Sequence, residues 1–142
     1  INKFFSQQYR LGWVKNKFFR SSLEMKIFLY LFENNISFEI SKLRIKYQLK
    51  NKDKTYQPDI EILNTVYEIK PEALLNKDIV TLKLNLLKEY CNMNNLFYGI
   101  ITEKTYDLSF INKAYIDKMI ENKTIRLLET TKNIEKFKRV IK

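Results

Sequence analysis

Apolar residues recur at four-residue steps through Leu23, Ile27 and Leu31, the spacing of one helix face. Ser21 or Ser22 supplies an N-cap hydroxyl just upstream. Asn34-Asn35 stops the run, so a helix is predicted over residues 23–34. Residues 27–32 are apolar all round, which requires burial against more than one neighbour and puts Glu24, near the helix start, at the edge of the core. From Leu43 the pattern becomes strict alternation, with Leu43, Ile45, Tyr47 and Leu49 on one face and Arg44, Lys46, Gln48 and Lys50 on the other. That predicts a half-buried strand with a basic outer face. The turn-like residues 51–54 lead to a second strand over 56–62, and Asn64-Thr65 to a third over 66–70; the last two read as a hairpin.

Helical spacing returns with Ile79, Leu82, Leu86, Tyr90 and Met93. Val80, Leu82 and Leu84 also allow a strand, but the length of the segment favours a helix over 76–94. Residues 96–101 form a short apolar run between turn residues, the pattern of an interior strand. Residues 109–120 and 134–141 read as helical. The predicted order is helix, three strands, helix, strand, then helical additions that end in Lys136, Lys138, Arg139 and Lys142.

Residues 1–20 hold Lys3, Arg10, Lys15, Lys17 and Arg20 without an acid, among Phe4, Phe5, Tyr9, Trp13, Phe18 and Phe19. Such interleaving can hold a sugar-phosphate backbone while rings stack on bases. Being rich in Phe, this arm reads first as core packing, and Trp13 as core or interface packing.

With 142 residues, 45% of them hydrophobic, one domain with a single core is expected, made of the 1–20 arm, a core over 21–108 and a basic extension over 109–142. The 26 Lys and Arg outnumber the 16 Asp and Glu by ten, which makes a polyanion, nucleic acid above all, the natural partner. There is no histidine, so His-based nucleases, Ser-His-Asp and Cys-His catalysis and His-ligated zinc are excluded. Carboxylates and lysines must carry any chemistry. The single Cys91 makes neither an internal disulfide nor a zinc cluster and reads as a small intracellular hydrophobe. Two glycines are too few for a Gly-rich phosphate loop. No apolar run approaches the roughly 20 residues of a membrane span, so a soluble protein with no membrane partner is expected, in the cytoplasm.

Within that frame Glu24, Asp59, Glu68 and Lys70 stand out. Residues two apart on a strand share a face, so Glu68 and Lys70 point the same way. If Asn64-Thr65 is a two-residue turn, Leu63 pairs with Val66, Asp59 falls opposite Lys70, and Glu61 falls opposite Glu68. Like charges directly opposite are destabilising unless a cation or a bulge separates them. An oxygen-only donor set suits Mg²⁺, or Mn²⁺ in its place, better than zinc. Asp59 and Glu68 would then hold the metal beside a phosphodiester, Glu24 would join directly or through water, and Lys70 would sit by the attacking water and the developing charge. The plain alternative is a surface hairpin with ordinary salt bridges.

Pro58-Asp59 followed by Glu68-Ile69-Lys70 resembles the two half-motifs of the PD-(D/E)XK nuclease superfamily, whose core order is αβββαβ. Residues 19–26, Phe-Arg-Ser-Ser-Leu-Glu-Met-Lys, are similar to the opening block of phage head-completion nucleases. Tyr67-Glu68-Ile69-Lys70-Pro71, Lys88-Glu89-Tyr90-Cys91 and Ile101-Thr102-Glu103-Lys104 resemble their later blocks, and the likeness spans roughly residues 9–108. TnsA-type transposon endonucleases share most of these features. The resemblance implies a restriction-endonuclease-like α/β (α+β) fold, with a mixed central sheet between helices. It also implies Mg²⁺-dependent DNA cleavage by Glu24, Asp59, Glu68 and Lys70, with the Ile69 carbonyl as a further metal ligand. The partners implied are DNA with phage capsid or neck proteins, or a transposase, in the host cytoplasm or the virion. Candidate DNA contacts are Arg10, Lys15, Lys17, Arg20, Arg44, Lys46 and Lys83, although Lys83 and Lys88 also read simply as a solvated helix face. A non-catalytic nucleic-acid-binding protein and a phage structural component on the same fold are the competing readings.

Overall fold

The structure, a computed structural model, describes residues 11–128. Lys3, Phe4, Phe5, Tyr9, Arg10, the predicted helix over 134–141 and the C-terminal lysines lie outside the described residues. The described residues are mixed α/β, with three helices and several sheets among them, one of the sheets mixed. It forms two compact units, one combining residues up to Asn35 with residues from Asp107 onward, the other Ile36–Tyr106. Among the described residues no helix is long and apolar enough to cross a membrane.

In the first unit β1 (Gly12–Val14) pairs antiparallel with both β2 (Lys17–Phe19) and β9 (Ile125–Leu127). Val14, Phe19 and Ile125 are buried, so Val14 and Phe19 of the aromatic arm are core. Helix α1 (Ser22–Glu33) starts as its sequence predicts, with Ser21 Oγ accepting from the Glu24 N–H at 3.1 Å. It buries Met25, Ile27, Phe28, Leu29 and Leu31, the all-round burial expected of an apolar stretch. Helix α3 (Lys113–Glu121) is capped by Asn112, whose side chain accepts from the Tyr115 N–H at 2.9 Å. It begins later than the helix predicted from 109, because Asn112 offers the cap, and strand β9 stands where helical additions were expected.

The second unit holds a four-stranded mixed sheet in the order β3 (Glu39–Ile40), β6 (Ile60–Ile62), β7 (Thr65–Ile69), β8 (Phe97–Ile101). β7 and β8 are parallel, joined through helix α2 (Asp78–Met93). A separate two-stranded ribbon is made by β4 (Ile45–Leu49) and β5 (Lys52–Tyr56). Ile45, Tyr56, Val66, Leu87 and Cys91 form the core that ties ribbon, sheet and helix together. Cys91 is fully buried, the small hydrophobe expected.

Four sequence expectations are corrected here. Residues 52–56, read mostly as a turn, form β5; the turn is Lys50-Asn51, where both residues have positive φ (53° and 64°), as a primed two-residue hairpin turn demands. The β6–β7 turn is Leu63-Asn64 rather than Asn64-Thr65, so Ile62 pairs with Thr65, Ile60 with Tyr67, and Glu61 faces Val66 instead of Glu68. The buried stripe of α2 is Val80, Leu87 and Cys91, one position round from the one predicted, which leaves Ile79 and Met93 exposed. Strand β8 is an edge of its sheet, not an interior strand, and exposes Phe97, Tyr98 and Ile100.

Candidate active site

The shifted β6–β7 register is what assembles the site. Continuing the pairing of Ile60 with Tyr67 brings Asp59 level with Glu68 rather than with Lys70. Asp59 is held by backbone on both sides: its N–H donates to the Tyr67 carbonyl at 3.1 Å and its carbonyl accepts from the Ser41 N–H at 3.0 Å. Its carboxylate turns inward, Oδ2 accepting from the Ile69 N–H at 2.6 Å, a charge-assisted bond to a fixed donor. The expectation of an Asp59–Lys70 pair gives way to an Asp59–Glu68 pair.

Glu68 is buried, at 5% exposure. Burying a carboxylate is costly unless it is paired and hydrogen-bonded, and two groups do this. The Tyr56 hydroxyl donates to Oε1 at 2.7 Å and the Lys70 ammonium lies 3.8 Å from Oε2. Burial pushes the Glu68 carboxyl above its usual range, while Tyr56, Lys70, Asp59 and, more weakly, Lys83 pull it back. Tyr56 keeps its own proton: burial, then the charge and hydrogen bond of Glu68, push its phenol far up. The Lys83 ammonium stands 5.9 Å from the centre of the Tyr56 ring, within cation–π range.

Tyr56 is the residue that sequence reasoning missed, because the strand that carries it was read as a turn up to Lys54. A signal was there, since Lys52, Lys54 and Tyr56 sit at two-residue steps ahead of Pro58-Asp59.

Each of the remaining candidates has its own local setting. Glu24 belongs to the first unit, where its Oε1 accepts from the Arg20 N–H at 3.2 Å at the start of α1, close to a capping box. Lys15 sits in the β1–β2 turn with its ammonium 4.7 Å from the Phe32 ring centre. Lys17 lies on β2, and Arg20 is exposed just before α1. Arg44 is exposed, its Nη1 donating to the Leu43 carbonyl at 3.1 Å, and Lys46 is exposed on β4.

Among the described residues no group of three or more Asp, Glu, His or Cys side chains gathers as a metal cage. Mg²⁺ does not ask for one: it is commonly held by one or two carboxylates, with waters and substrate phosphates completing its shell. The Asp59 and Glu68 carboxyls offer the oxygen-only donor set that such an ion takes. No family model, curated protein or solved structure matches this chain.

Proposed function

We propose that this chain is a metal-dependent DNA endonuclease of the PD-(D/E)XK type, most like the phage head-completion nucleases that act on DNA ends, on a restriction-endonuclease-like core. The observation that carries the reading is the meeting of Asp59, Glu68 and Lys70 on one hairpin, with Lys70 3.8 Å from a buried Glu68. Asp59 and Glu68 would hold Mg²⁺, or Mn²⁺ in its place, with the Ile69 carbonyl as a further oxygen. When bound, the ion supplies a Lewis acid for the phosphate and a lowered pKa for a water.

The chain's own residues do the rest. The Ile69 N–H fixes the Asp59 carboxylate, and Tyr56 fixes Oε1 of Glu68, leaving Oε2 toward Lys70. Lys70, with its ammonium partly open to solvent, stabilises the negative charge that builds on the phosphoryl oxygens as water attacks phosphorus and the P–O bond breaks. The water's proton passes to solvent, and the leaving oxygen is protonated in turn. The excess of ten positive charges draws the polyanion in.

The test is incubation of purified protein with linear, circular, branched and single-stranded DNA in Mg²⁺, Mn²⁺ or EDTA. Cleavage that requires the metal is expected. Intact DNA of every form in both metals would sink the reading.

A further inference from the structure

The β4–β5 ribbon ties the candidate site to an exposed cationic row. Lys52 and Lys54 lie at two-residue steps before Tyr56 on β5, so all three share one face of the strand. At the base of that face Tyr56 is buried and bonded to Glu68, with the Lys83 ammonium over its ring. Toward the tip the same face opens: Lys54 stands opposite Tyr47 and Lys52 opposite Leu49, and both lysines are exposed. The other face is also basic, with Arg44, Lys46 and Lys50, but it differs in carrying an acid: Gln48 stands opposite Asp53, and its amide donates to Asp53 Oδ1 at 3.0 Å, which sets a negative charge among those cations.

Resting on the nuclease reading, we propose that Lys54 and Lys52 form a phosphate track for one strand of duplex DNA, leading away from the scissile bond along β5. Spacing supports this occupant. Two residues of a strand advance about 6.8 Å, close to the separation of neighbouring phosphates along one strand of a duplex. The row therefore meets successive phosphates, with Lys52 about two nucleotides from the site. Arg44 and Lys46, two of the DNA contacts expected from sequence, become the competing outcome, because Lys46 lies on the opposite face.

The experiment is fluorescence anisotropy of a short labelled DNA duplex in EDTA, from about 50 to 200 mM salt. It compares the wild type, a Lys52→Gln/Lys54→Gln double variant and Lys46→Gln, with cleavage of the same duplex in Mg²⁺ measured alongside. Each phosphate contact contributes about 0.9 to the slope of log K against log salt. The double variant should flatten that slope by about 1.8, and Lys46→Gln by less than half as much. An unchanged slope in the double variant, or a loss of about 0.9 in Lys46→Gln that matches the loss per lysine in the double variant, overturns the track even if the wild type binds and cuts. A wild type that binds no duplex overturns the track and the nuclease reading together.

Discussion

The β4–β5 and β6–β7 hairpins belong to one unit, both turn on two residues, and they use charge in opposite ways. β4–β5 sets Lys46, Lys52 and Lys54 in solvent, where each charge is hydrated and costs little. β6–β7 begins beside Asp59 and ends in Glu68, Ile69 and Lys70, and takes Glu68 into the interior. Exposed charge of this kind acts as a field, strong in sum and weak singly. A buried carboxylate must instead be matched group by group, and Tyr56 and Lys70 do so. The hairpins meet at the Tyr56–Glu68 bond, so the strand carrying the field also positions the group placed for chemistry.

The contrast breaks most sharply at the acids. Asp59→Asn and Glu68→Gln keep shape while removing charge, and each should abolish measurable cleavage yet leave DNA affinity within a few-fold. Single-turnover rates and anisotropy on the same preparations check this, and a wild-type rate in either variant would remove that residue from the site. Next in size is Lys70→Met, which keeps the stem and removes the ammonium. An oriented charge of this kind is worth about 10²- to 10³-fold in rate, while one lysine among 26 basic residues should barely alter affinity. If Lys70 only compensates the buried Glu68 carboxylate, the variant loses stability, by up to about 3–5 kcal/mol, and no activity per folded molecule.

Tyr56→Phe tests the joint between the hairpins through stability in EDTA. Burial raises the Glu68 carboxyl, so the folded chain binds more protons than the unfolded one between the ordinary carboxylate range and the raised value. The stability due to this group is therefore fully present below the ordinary range and is lost as pH rises through the raised value. Removing the Tyr56 donor hurts the charged form, at a cost of about 1–3 kcal/mol at pH values where Glu68 is ionised, and the cost should shrink as acid protonates Glu68. Denaturant melts across pH would show this; a cost independent of pH would mean that Tyr56 acts by packing alone. The smallest effect is expected at the β6–β7 turn. Leu63 is 96% exposed with φ of 54°, a left-handed conformation that favours Asn over Leu. Leu63→Asn should raise stability by about 0.5–1 kcal/mol, read as a higher Tm, with cleavage unchanged.

The residues that could be read from sequence alone are those whose burial leaves a period. α1 is buried nearly all round and β4 on one face, so their spacing shows in the chain. β5 exposes residues 52–55 on both faces and is held by backbone pairing to β4, which leaves no hydrophobic alternation to read. The β6–β7 register went wrong because Asn64-Thr65 carries the better local turn chemistry, whereas pairing with Tyr67 and Val66 settles the turn on Leu63. In α2, Leu82 and Leu86 fit two neighbouring stripes, and only packing against Ile45, Tyr56 and Val66 selects Leu87 and Cys91. Asp59, Glu68 and Lys70 were legible as a motif, but their pairing was not, since it depends on a turn one residue away from the predicted one. Tyr56 was invisible as a partner because nothing local links it to a residue twelve positions on.

The central claim is that Asp59 and Glu68 jointly hold a divalent cation. Titration of Mn²⁺ into the protein bound to uncleavable duplex DNA, followed by the loss of the free-ion electron paramagnetic resonance signal, tests it without relying on activity. The account predicts a bound ion in the wild type that is lost in both Asp59→Asn and Glu68→Gln and retained in Lys70→Met. Equal Mn²⁺ binding by the wild type and the two acid variants would contradict it.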